Sequence, residues 1–440
     1  MFRLFSFCFF FFAGAVQAQT YTLQQCIDTA LANNIGVQQA GLLTQSAGVQ
    51  LSQSKFNRLP DLSADVFHGL SQGRSIDPNS NSYVNQSLNY ASYGVNSGIT
   101  VFYGGTLRNT IKQNAASFEA SGLETQQAKD NLVLNVIITY LQVLNGEDLV
   151  RSSAQQAELS QKAIDRLQVL DNQGAIKPSE LSDLKGQLMN DQLAVATARN
   201  VLETAKLNLA QLMNKPYTKE LTVQRIALEE IAAEYKNTPS GVYQNALQQF
   251  AQIKAVEFRK QSAEYGVKAA KGNFYPSVSI GGGLATNYSS LAQNASGKIP
   301  YNGQLKNNIS TSVGVGLSIP IFSRMQVRNR VRQADILWNN SKLQEDLTKV
   351  TVRQQIEQAY LNMTNAYERY TLLQSQVAAY TQSFKAAEVR YASGVGTSYD
   401  YLIAKDRMDR ANINLIGAQY DYVLRKKVLD YYGQSLIDSK

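Results

Sequence analysis

Residues 310–322 read Ser-Thr-Ser-Val-Gly-Val-Gly-Leu-Ser-Ile-Pro-Ile-Phe, and apolar side chains occupy every second position from Val313 to Ile319. Glycine or serine fills the positions between them. This period of two is typical of a β-strand whose two faces meet different surroundings. Because glycine and serine cannot fill a dry core, we expect their face to meet water.

Three other segments alternate in the same way. The sequence therefore predicts four strands, at 61–71, 92–102, 277–287 and 310–321. Soluble antiparallel sheets also alternate, but the small-residue face and the loops rich in Asn, Ser, Gly and Tyr favour a membrane β-barrel. Four strands cannot close a barrel, so several copies of the chain would be required.

The strands belong to two similar halves of the chain. Four motifs of the first half recur in the second. They are Leu59-Pro60 with Tyr275-Pro276, Val101-Phe102 with Ile321-Phe322, Tyr140 with Tyr360, and Gly174 with Gly394. Self-similarity at a long period indicates duplication of one structural unit. We therefore predict a first repeat at 19–213, a linker at 214–238, a second repeat at 239–433 and a short polar tail at 434–440.

Long helices complete each repeat. Sustained apolar periodicity without proline predicts helices at 105–172 and 324–392, each ~100 Å long at 1.5 Å per residue. Heptads predict return helices at 179–213 and 398–432. An earlier helix is predicted from Leu23 to Arg58, and Pro60 ends it.

The return helices pack as antiparallel coiled coils in this interpretation, with hairpin turns at Gly174 and Gly394. Their heptads place apolar side chains at two positions, and the exceptions are Asp191 and Arg425. Pro60, Pro276 and Pro320 mark the strand boundaries, because proline cannot donate a hydrogen bond to a neighbouring strand.

The N-terminus has the features of a secretory leader. Arg3 precedes an apolar run from Phe5 to Phe12, and small residues end in Val16-Gln17-Ala18, the pattern that a signal peptidase cleaves. We predict a signal peptide at 1–18. No later stretch reaches the ~20 apolar residues that a membrane helix requires. A soluble periplasmic protein would carry a similar leader, so this segment alone leaves the destination open.

The composition argues against enzymes and nucleic-acid-binding proteins. The 42 basic residues exceed the 34 acidic ones, but the excess is mild and dispersed along the sequence. His68 is the only histidine, so the usual catalytic triads and zinc sites lack their parts. Cys26 is left without a disulfide partner once Cys8 leaves with the leader. We expect neither catalysis nor a cofactor.

The order and spacing of these elements resemble the TolC outer-membrane efflux protein family across essentially the whole mature chain. Ile319-Pro320-Ile321-Phe322, after the last strand, is similar to a family signature, as is Gly-Val-Gly-Thr-Ser-Tyr-Asp-Tyr-Leu at residues 394–402. The first copy departs from the second. In the first repeat, Thr100 occupies the position that corresponds to Pro320, and Gly104-Gly105 follow it. The connection from strand to helix is therefore expected to bend differently there.

The resemblance implies a homotrimer in the outer membrane of a Gram-negative bacterium. Four strands from each chain would form a barrel of about twelve strands, continuous with an α-helical coiled-coil barrel that crosses the periplasm. A periplasmic adaptor at the hairpin tips and an inner-membrane pump would supply substrate and energy. The chain itself would be a passive duct for small molecules.

Two alternatives stay open. The same duct could secrete polypeptides in a type I system, because cargo choice lies mainly in the partner pump. A periplasmic adaptor or structural coiled-coil protein is less favoured, since adaptors usually carry one helical hairpin between lipoyl-like β halves.

The resemblance also implies a periplasmic gate. Asp400 occupies the place of an inward acidic residue, Ser179 and Glu180 occupy the matching turn of the first copy, and Tyr391 matches a tip tyrosine. A carboxylate repeated by threefold symmetry would form a ring that favours cations. Equally, Glu180 and Asp400 could simply complement the helix dipole in first turns. Gly396 stands where a basic latch residue is expected.

Overall fold

The computed structural model describes residues 20–76, 80–85, 87–173, 178–226 and 234–433. The predicted leader, the predicted turn residue Gly174 and the predicted tail lie outside these residues. The chain forms two compact units. Unit 1 comprises the described parts of Met1–Gln39, Thr125–Phe250 and Lys349–Lys440, and unit 2 comprises those of Ala40–Glu124 and Ala251–Thr348.

The helices repeat in length between the two halves of the chain. They are α1 (Leu23–Asn33), α2 (Ile35–Phe56), α3 (Thr106–Asn172), α4 (Pro178–Leu212), α5 (Pro239–Gln249), α6 (Ala251–Gly272), α7 (Tyr301–Asn307), α8 (Gln326–Ala392) and α9 (Ser398–Tyr432). Both α1 and α5 have 11 residues, α2 and α6 have 22, α3 and α8 have 67, and α4 and α9 have 35. Each half therefore has the same succession of four helices, and α7 is an additional short helix of the second half.

Unit 2 contains a four-stranded antiparallel sheet in the order β10-β7-β5-β2. Its strands are β2 (Asp61–Ser71), β5 (Leu88–Tyr103), β7 (Ser277–Ser289) and β10 (Ser310–Ser318). Other strands form short pairs outside this sheet, and the first of the pairs below lies in unit 1. They are β1 (Thr20–Tyr21) with β6 (Thr222–Val223), β3 (Arg74–Ile76) with β4 (Tyr83–Asn85), and β8 (Gln293–Asn294) with β9 (Gly297–Lys298).

The single helix predicted from Leu23 to Arg58 is wrong, because Asn34 divides it into α1 and α2. Asn34 has an extended backbone, with φ −69° and ψ 120°, and its N–H donates to the carbonyl of Ala30. Its side-chain oxygen accepts from the Val37 N–H at 3.1 Å. One residue thus ends the first helix and caps the second, which is a role that asparagine favours.

Four strand ends also differ from the prediction. β5 ends at Tyr103 rather than 102 and β7 at Ser289 rather than 287, and the two larger differences are at β10 and at the start of β5. β10 ends at Ser318 rather than 321, because Pro320 has no N–H to continue the ladder. β5 begins at Leu88, inside the segment interpreted as a loop, where Leu88 pairs with Ser71 and Tyr90 pairs with Ser289. Pairing with β2 and β7 therefore extends the strand over residues 88–91. β2 and α9 have their predicted bounds.

The joint between β5 and α3 depends on two glycines of unit 2. Gly104 has φ +53°, in the left-handed region, and a Cβ there would lie 2.0 Å from the carbonyl oxygen of Gly272. A Cβ on Gly272 would lie 2.3 Å from the Thr106 hydroxyl oxygen. That hydroxyl donates to the carbonyl of Ala269 at 3.1 Å. The backbones of the two repeats therefore meet at van der Waals distance.

We expect Gly104→Ala to destabilise the protein by about 3 kcal/mol, because it combines backbone strain with a clash against backbone atoms. Thermal unfolding in detergent, followed by circular dichroism, measures the change. The matched control is Gly122→Ala in α3, where a Cβ meets no heavy atom within 4 Å and alanine is the better helix former. Equal melting temperatures for the two variants would contradict this assignment.

Unit 1 has two apolar clusters between its helices. The larger surrounds Tyr140 of α3 and Tyr422 of α9, both fully buried, and includes Leu209 of α4 and Cys26 of α1. The smaller joins the hairpin ends through Leu184 of α4 and its neighbours. These clusters pack α3, α4, α8 and α9 against one another within unit 1.

Candidate functional site

A tight turn connects α8 to α9 at one hairpin tip of unit 1. Gly394 has φ +74°, and the N–H groups of Val395 and Gly396 both donate to the carbonyl of Arg390 at 3.0 Å. A Cβ on Gly396 would come within 3.0 Å of the backbone nitrogen of Tyr391. The geometry of the turn therefore accounts for glycine at both positions.

Asp400 lies in the first turn of α9, where it takes part in a helix cap. Its N–H donates to the Thr397 hydroxyl oxygen at 3.1 Å, and that hydroxyl donates to the Asp400 carboxylate at 2.7 Å. The carboxylate is nevertheless exposed. The cap explains an acidic residue here, while the exposure leaves its charge accessible to passing ions.

Tyr391, a predicted gate residue, packs against the first turn of α9. Its ring stacks on that of Tyr401, with centroids 5.2 Å apart, and its hydroxyl is buried without a hydrogen-bond partner among the described residues. Burial raises the pKa of Tyr391, and the negative charge of Glu180 raises it further, whereas Arg166 lowers it. The charge of Glu180 on α4 therefore acts on Tyr391 of α8, while Ser179 is exposed.

Arg166 of α3 joins the same tip, and sequence reasoning did not single it out. Its guanidinium donates to the carbonyl of Ala392, the last residue of α8, at 3.1 Å. A cation at a helix C-terminus is stabilised by the unpaired carbonyls there. Arg166 therefore supplies a positive charge to the tip, where Gly396 has replaced the expected basic residue.

A buried charged cluster links three helices of unit 1. Lys405 of α9 has no exposed surface, and its ammonium lies 3.0 Å from the Asp191 carboxylate of α4 and 2.5 Å from that of Asp409. Asp191 also accepts from the Ser160 hydroxyl of α3 at 2.6 Å and from the Gln187 amide at 2.9 Å. We call these five residues the Lys405 cluster.

The Lys405 cluster holds two carboxylates against one ammonium. Burial raises the pKa of Asp409, and the ammonium of Lys405 opposes that rise. One oxygen of Asp409 has no hydrogen-bond partner among the described residues. Two features of the sequence point to the Lys405 cluster. Asp191 is the exception in a heptad, and the four-residue spacing of Lys405 and Asp409 places both on one helix face.

The sheet of unit 2 has one continuous apolar face. On β10, Val313, Val315 and Leu317 have 86%, 72% and 64% of their surface exposed. Directly opposite residues share a face, and the register pairs apolar residues across all four strands. These pairs are Val315 with Ile280, Leu317 with Val278, Ile280 with Ile99, Leu284 with Val95, and Ala64 with Val95.

The opposite face of the sheet is small and polar. Gly314 faces Gly281, and Gly316 faces Ser279. Nearby, the Asn96 amide donates to the Asp65 carboxylate at 3.1 Å. An exposed sheet that is apolar on one face and polar on the other has the surface expected between lipid and water.

Within the described residues, no helix is both long and apolar enough to cross a bilayer. The same residues contain no group of three or more His, Cys, Asp or Glu side chains arranged to hold a metal ion.

Two stretches of the chain, residues 26–215 and 242–430, match the family model described as outer membrane efflux protein. The chain belongs to this family. It is an outer-membrane channel of an efflux system, located in the Gram-negative outer membrane with a periplasmic helical part. The family resemblance inferred from the sequence is therefore confirmed, and the periplasmic adaptor alternative is wrong.

Individual efflux proteins are similar over most of the chain. The outer membrane protein TolC of Escherichia coli is 21% identical over 312 residues, which cover 70% of this chain and 62% of TolC. Toxin and drug export protein A of Aggregatibacter actinomycetemcomitans is 22% identical over 90% of this chain and 82% of its own. The CmeC outer membrane channel of Campylobacter jejuni has the same fold, with a TM-score of 0.79 and 20% identity over 95% of this chain and 87% of CmeC.

Proposed function

We propose that three copies of this chain close a single barrel through which solutes leave the cell. The observation that carries the proposal is the four-stranded sheet with an exposed apolar face and two open edges. In the described part of the chain, β2 and β10 each pair with one strand. Unpaired strand edges are not tolerated inside a lipid bilayer, so β10 of one copy would pair with β2 of the next.

The barrel would place the apolar face toward lipid and the small polar face toward the lumen. Glycine and serine leave room for water and solutes, and groups such as the Asp65–Asn96 pair keep the inner wall hydrated. Such a wall requires no catalytic group. Transport through it would be passive, with energy supplied by partners.

The long helices would form a periplasmic tunnel whose end carries the gate. The charges of Glu180 and Arg166, from α4 and α3, both act on Tyr391 of α8, and Asp400 presents an exposed carboxylate at the start of α9. A periplasmic adaptor docking at these tips would separate the helices and open the tunnel. An inner-membrane pump would deliver the cargo.

The cargo is proposed to be small molecules, with polypeptides as the second candidate. The Aggregatibacter relative is named for export of toxin and drugs, and a Pseudomonas putida relative is named for export of pyoverdine. A water-filled duct with a gate at its tips is compatible with both kinds of cargo.

The acidic gate predicts a specific change in ion selectivity. We expect the wild-type channel to prefer cations and Glu180→Gln/Asp400→Asn to lower the K⁺ to Cl⁻ permeability ratio roughly twofold or more, because a ring of negative charge attracts cations. The reversal potential across a planar bilayer under a KCl gradient measures this ratio.

The control is Glu158→Gln/Asp406→Asn, which removes the same charge from helix positions away from the turns. An unchanged reversal potential in the gate variant, or an equal change in the control, would show that Glu180 and Asp400 only complement helix starts.

A further inference from the structure

In unit 2, four helices begin or end next to the same ends of the sheet's strands. We call this side of the sheet the helical edge, and positive charge collects there. The register places Asp61 opposite Gly98, Tyr103 opposite Ser277, and Ser318 opposite Ser277. The ends of α2 and α6 and the starts of α3 and α8 therefore lie at the same edge.

The helix ends at this edge are rich in lysine and arginine, whereas the first residue of β2, Asp61, is acidic and accepts from the Gly98 N–H at 2.7 Å. The segments 50–60, 104–112, 266–276 and 319–332 hold ten basic side chains and neither aspartate nor glutamate. We call these ten the basic collar. They are Lys55, Arg58, Arg108, Lys112, Lys268, Lys271, Arg324, Arg328, Arg330 and Arg332. The ten positive charges of the collar outnumber the net charge of +8 of the whole chain. The fold therefore brings together basic residues that are dispersed along the sequence.

The collar has little compensation within the protein. All ten side chains are exposed. Among the described residues, Lys268 is the one member with a carboxylate partner, Glu264 at 2.6 Å. Like charges held together repel, so their clustering is unfavourable without an anion from outside.

Helix electrostatics do not explain the collar. Lys55 and Lys271 lie at helix C-terminal ends, where a cation is favourable. Arg108 and Arg328 lie in the first turns of α3 and α8, and Arg324 lies just before α8, where an anion is favourable instead. Neither first turn contains an acidic residue, in contrast to α4 and α9, which begin with Glu180 and Asp400.

Exposed aromatic and aliphatic side chains share this edge with the collar. Phe322 has 76% of its surface exposed, Tyr275 59% and Phe274 52%, and Phe56 and Phe102 are also exposed. Aromatic side chains form girdles at the two interfaces of membrane barrels. Lysine and arginine just beyond such a girdle lie at the depth of lipid headgroups and can extend toward them.

We propose that the basic collar binds the headgroups of anionic phospholipids in the periplasmic leaflet, an inference that rests on the proposed barrel. The apolar sheet face would hold the acyl chains, the aromatic row would lie at the interface, and the collar would pair with phosphate. Anionic lipid would thereby fix the depth of the barrel in the membrane. Because such pairing is electrostatic, salt weakens it.

Lipid retention on the purified full-length mature protein tests this proposal. The delipidated protein is incubated with equal amounts of phosphatidylglycerol and phosphatidylcholine, and the retained lipids are counted by mass spectrometry. We expect the wild type to retain phosphatidylglycerol at least tenfold over phosphatidylcholine. Lys55→Gln/Arg58→Gln/Arg324→Gln/Arg328→Gln is expected to lose that preference.

Two further variants separate lipid binding from net charge and from misfolding. Lys185→Gln/Arg199→Gln/Lys385→Gln/Arg407→Gln removes four exposed cations from α4, α8 and α9 of unit 1 and is expected to keep the preference. Arg58→Lys/Arg324→Lys/Arg328→Lys keeps the charge and is also expected to keep it. A wild type without preference, or an equal loss in the unit 1 control, overturns the proposal.

Conductance in a bilayer of pure phosphatidylcholine keeps this test distinct from the proposed function. A channel that conducts there but shows no preference for anionic lipid overturns the collar and leaves the duct standing. A collar variant with altered ion selectivity and unchanged lipid retention would place the collar in the lumen, which also overturns the proposal. Failure of the wild type to conduct would count against the duct itself.

Discussion

Replacing Lys405 with methionine is expected to destabilise the helical unit by about 3–5 kcal/mol, because two buried carboxylates would lose their shared cation. Asp191 and Asp409 would then face each other inside the helix bundle without compensation. Urea-induced unfolding in detergent, followed by circular dichroism, measures the loss.

Two controls test the cause. Adding Asp191→Asn and Asp409→Asn to Lys405→Met removes the uncompensated charge and is expected to restore much of the stability. Lys162→Met breaks a pair of exposed side chains with Glu158 and should change stability little. If Lys405→Met and Lys162→Met unfold at the same urea concentration, the Lys405 cluster contributes no more than a surface pair.

The destabilisation by Lys405→Met is also expected to depend on pH. Burial already raises the pKa of Asp409, and removing the ammonium raises it further. A carboxyl whose folded-state pKa is raised loses stability as pH rises from its unfolded value through its folded value, and regains it on acidification. The deficit of Lys405→Met should therefore be smaller at pH 5 than at pH 8, and a larger deficit at pH 5 would contradict this sign.

Val313→Arg is expected to prevent most chains from reaching the folded, membrane-inserted state. Val313 lies near the centre of β10 on the apolar face, with 86% of its surface exposed. An arginine facing lipid near the bilayer midplane costs about 2–4 kcal/mol, and threefold symmetry would repeat that cost. The folded fraction in isolated outer membranes, separated from the unfolded chain by unheated gel electrophoresis, measures the effect.

Ser312→Arg is the matched control, since it introduces the same side chain one residue away on the polar face. We expect this variant to insert and to conduct with a weaker preference for cations. If both variants insert equally well, the apolar face of the sheet does not meet lipid.

The sequence predicted those elements whose ends carry a local chemical signal. α9 begins after Thr397, whose hydroxyl caps it, and β2 begins directly after Pro60. The start of each element could therefore be predicted from a single residue. The division at Asn34 escaped prediction because α1 and α2 have no proline between them and share a continuous helical composition. The early start of β5 escaped because pairing with β2 and β7 outweighs the preference of its own residues.

The candidate gate was predictable in position but not in its contacts. Glycine spacing located the turn at Gly394, and the acidic residues were found in the first turns of α4 and α9. Arg166 and Lys405 were missed, since Arg166 meets Ala392 and Lys405 meets Asp191 only through the packing of different helices. Residues separated by more than 200 positions carry no local pattern that joins them. The roles of Ser179, Glu180, Tyr391 and Asp400 in gating remain predictions.

Single-channel recording of the purified wild-type protein across a planar phosphatidylcholine bilayer tests the central claim most directly. The predicted result is a series of discrete, cation-preferring conductance steps, because each closed barrel would add one water-filled path. A protein that keeps its helical circular dichroism spectrum in detergent but produces no steps at any concentration would contradict the account.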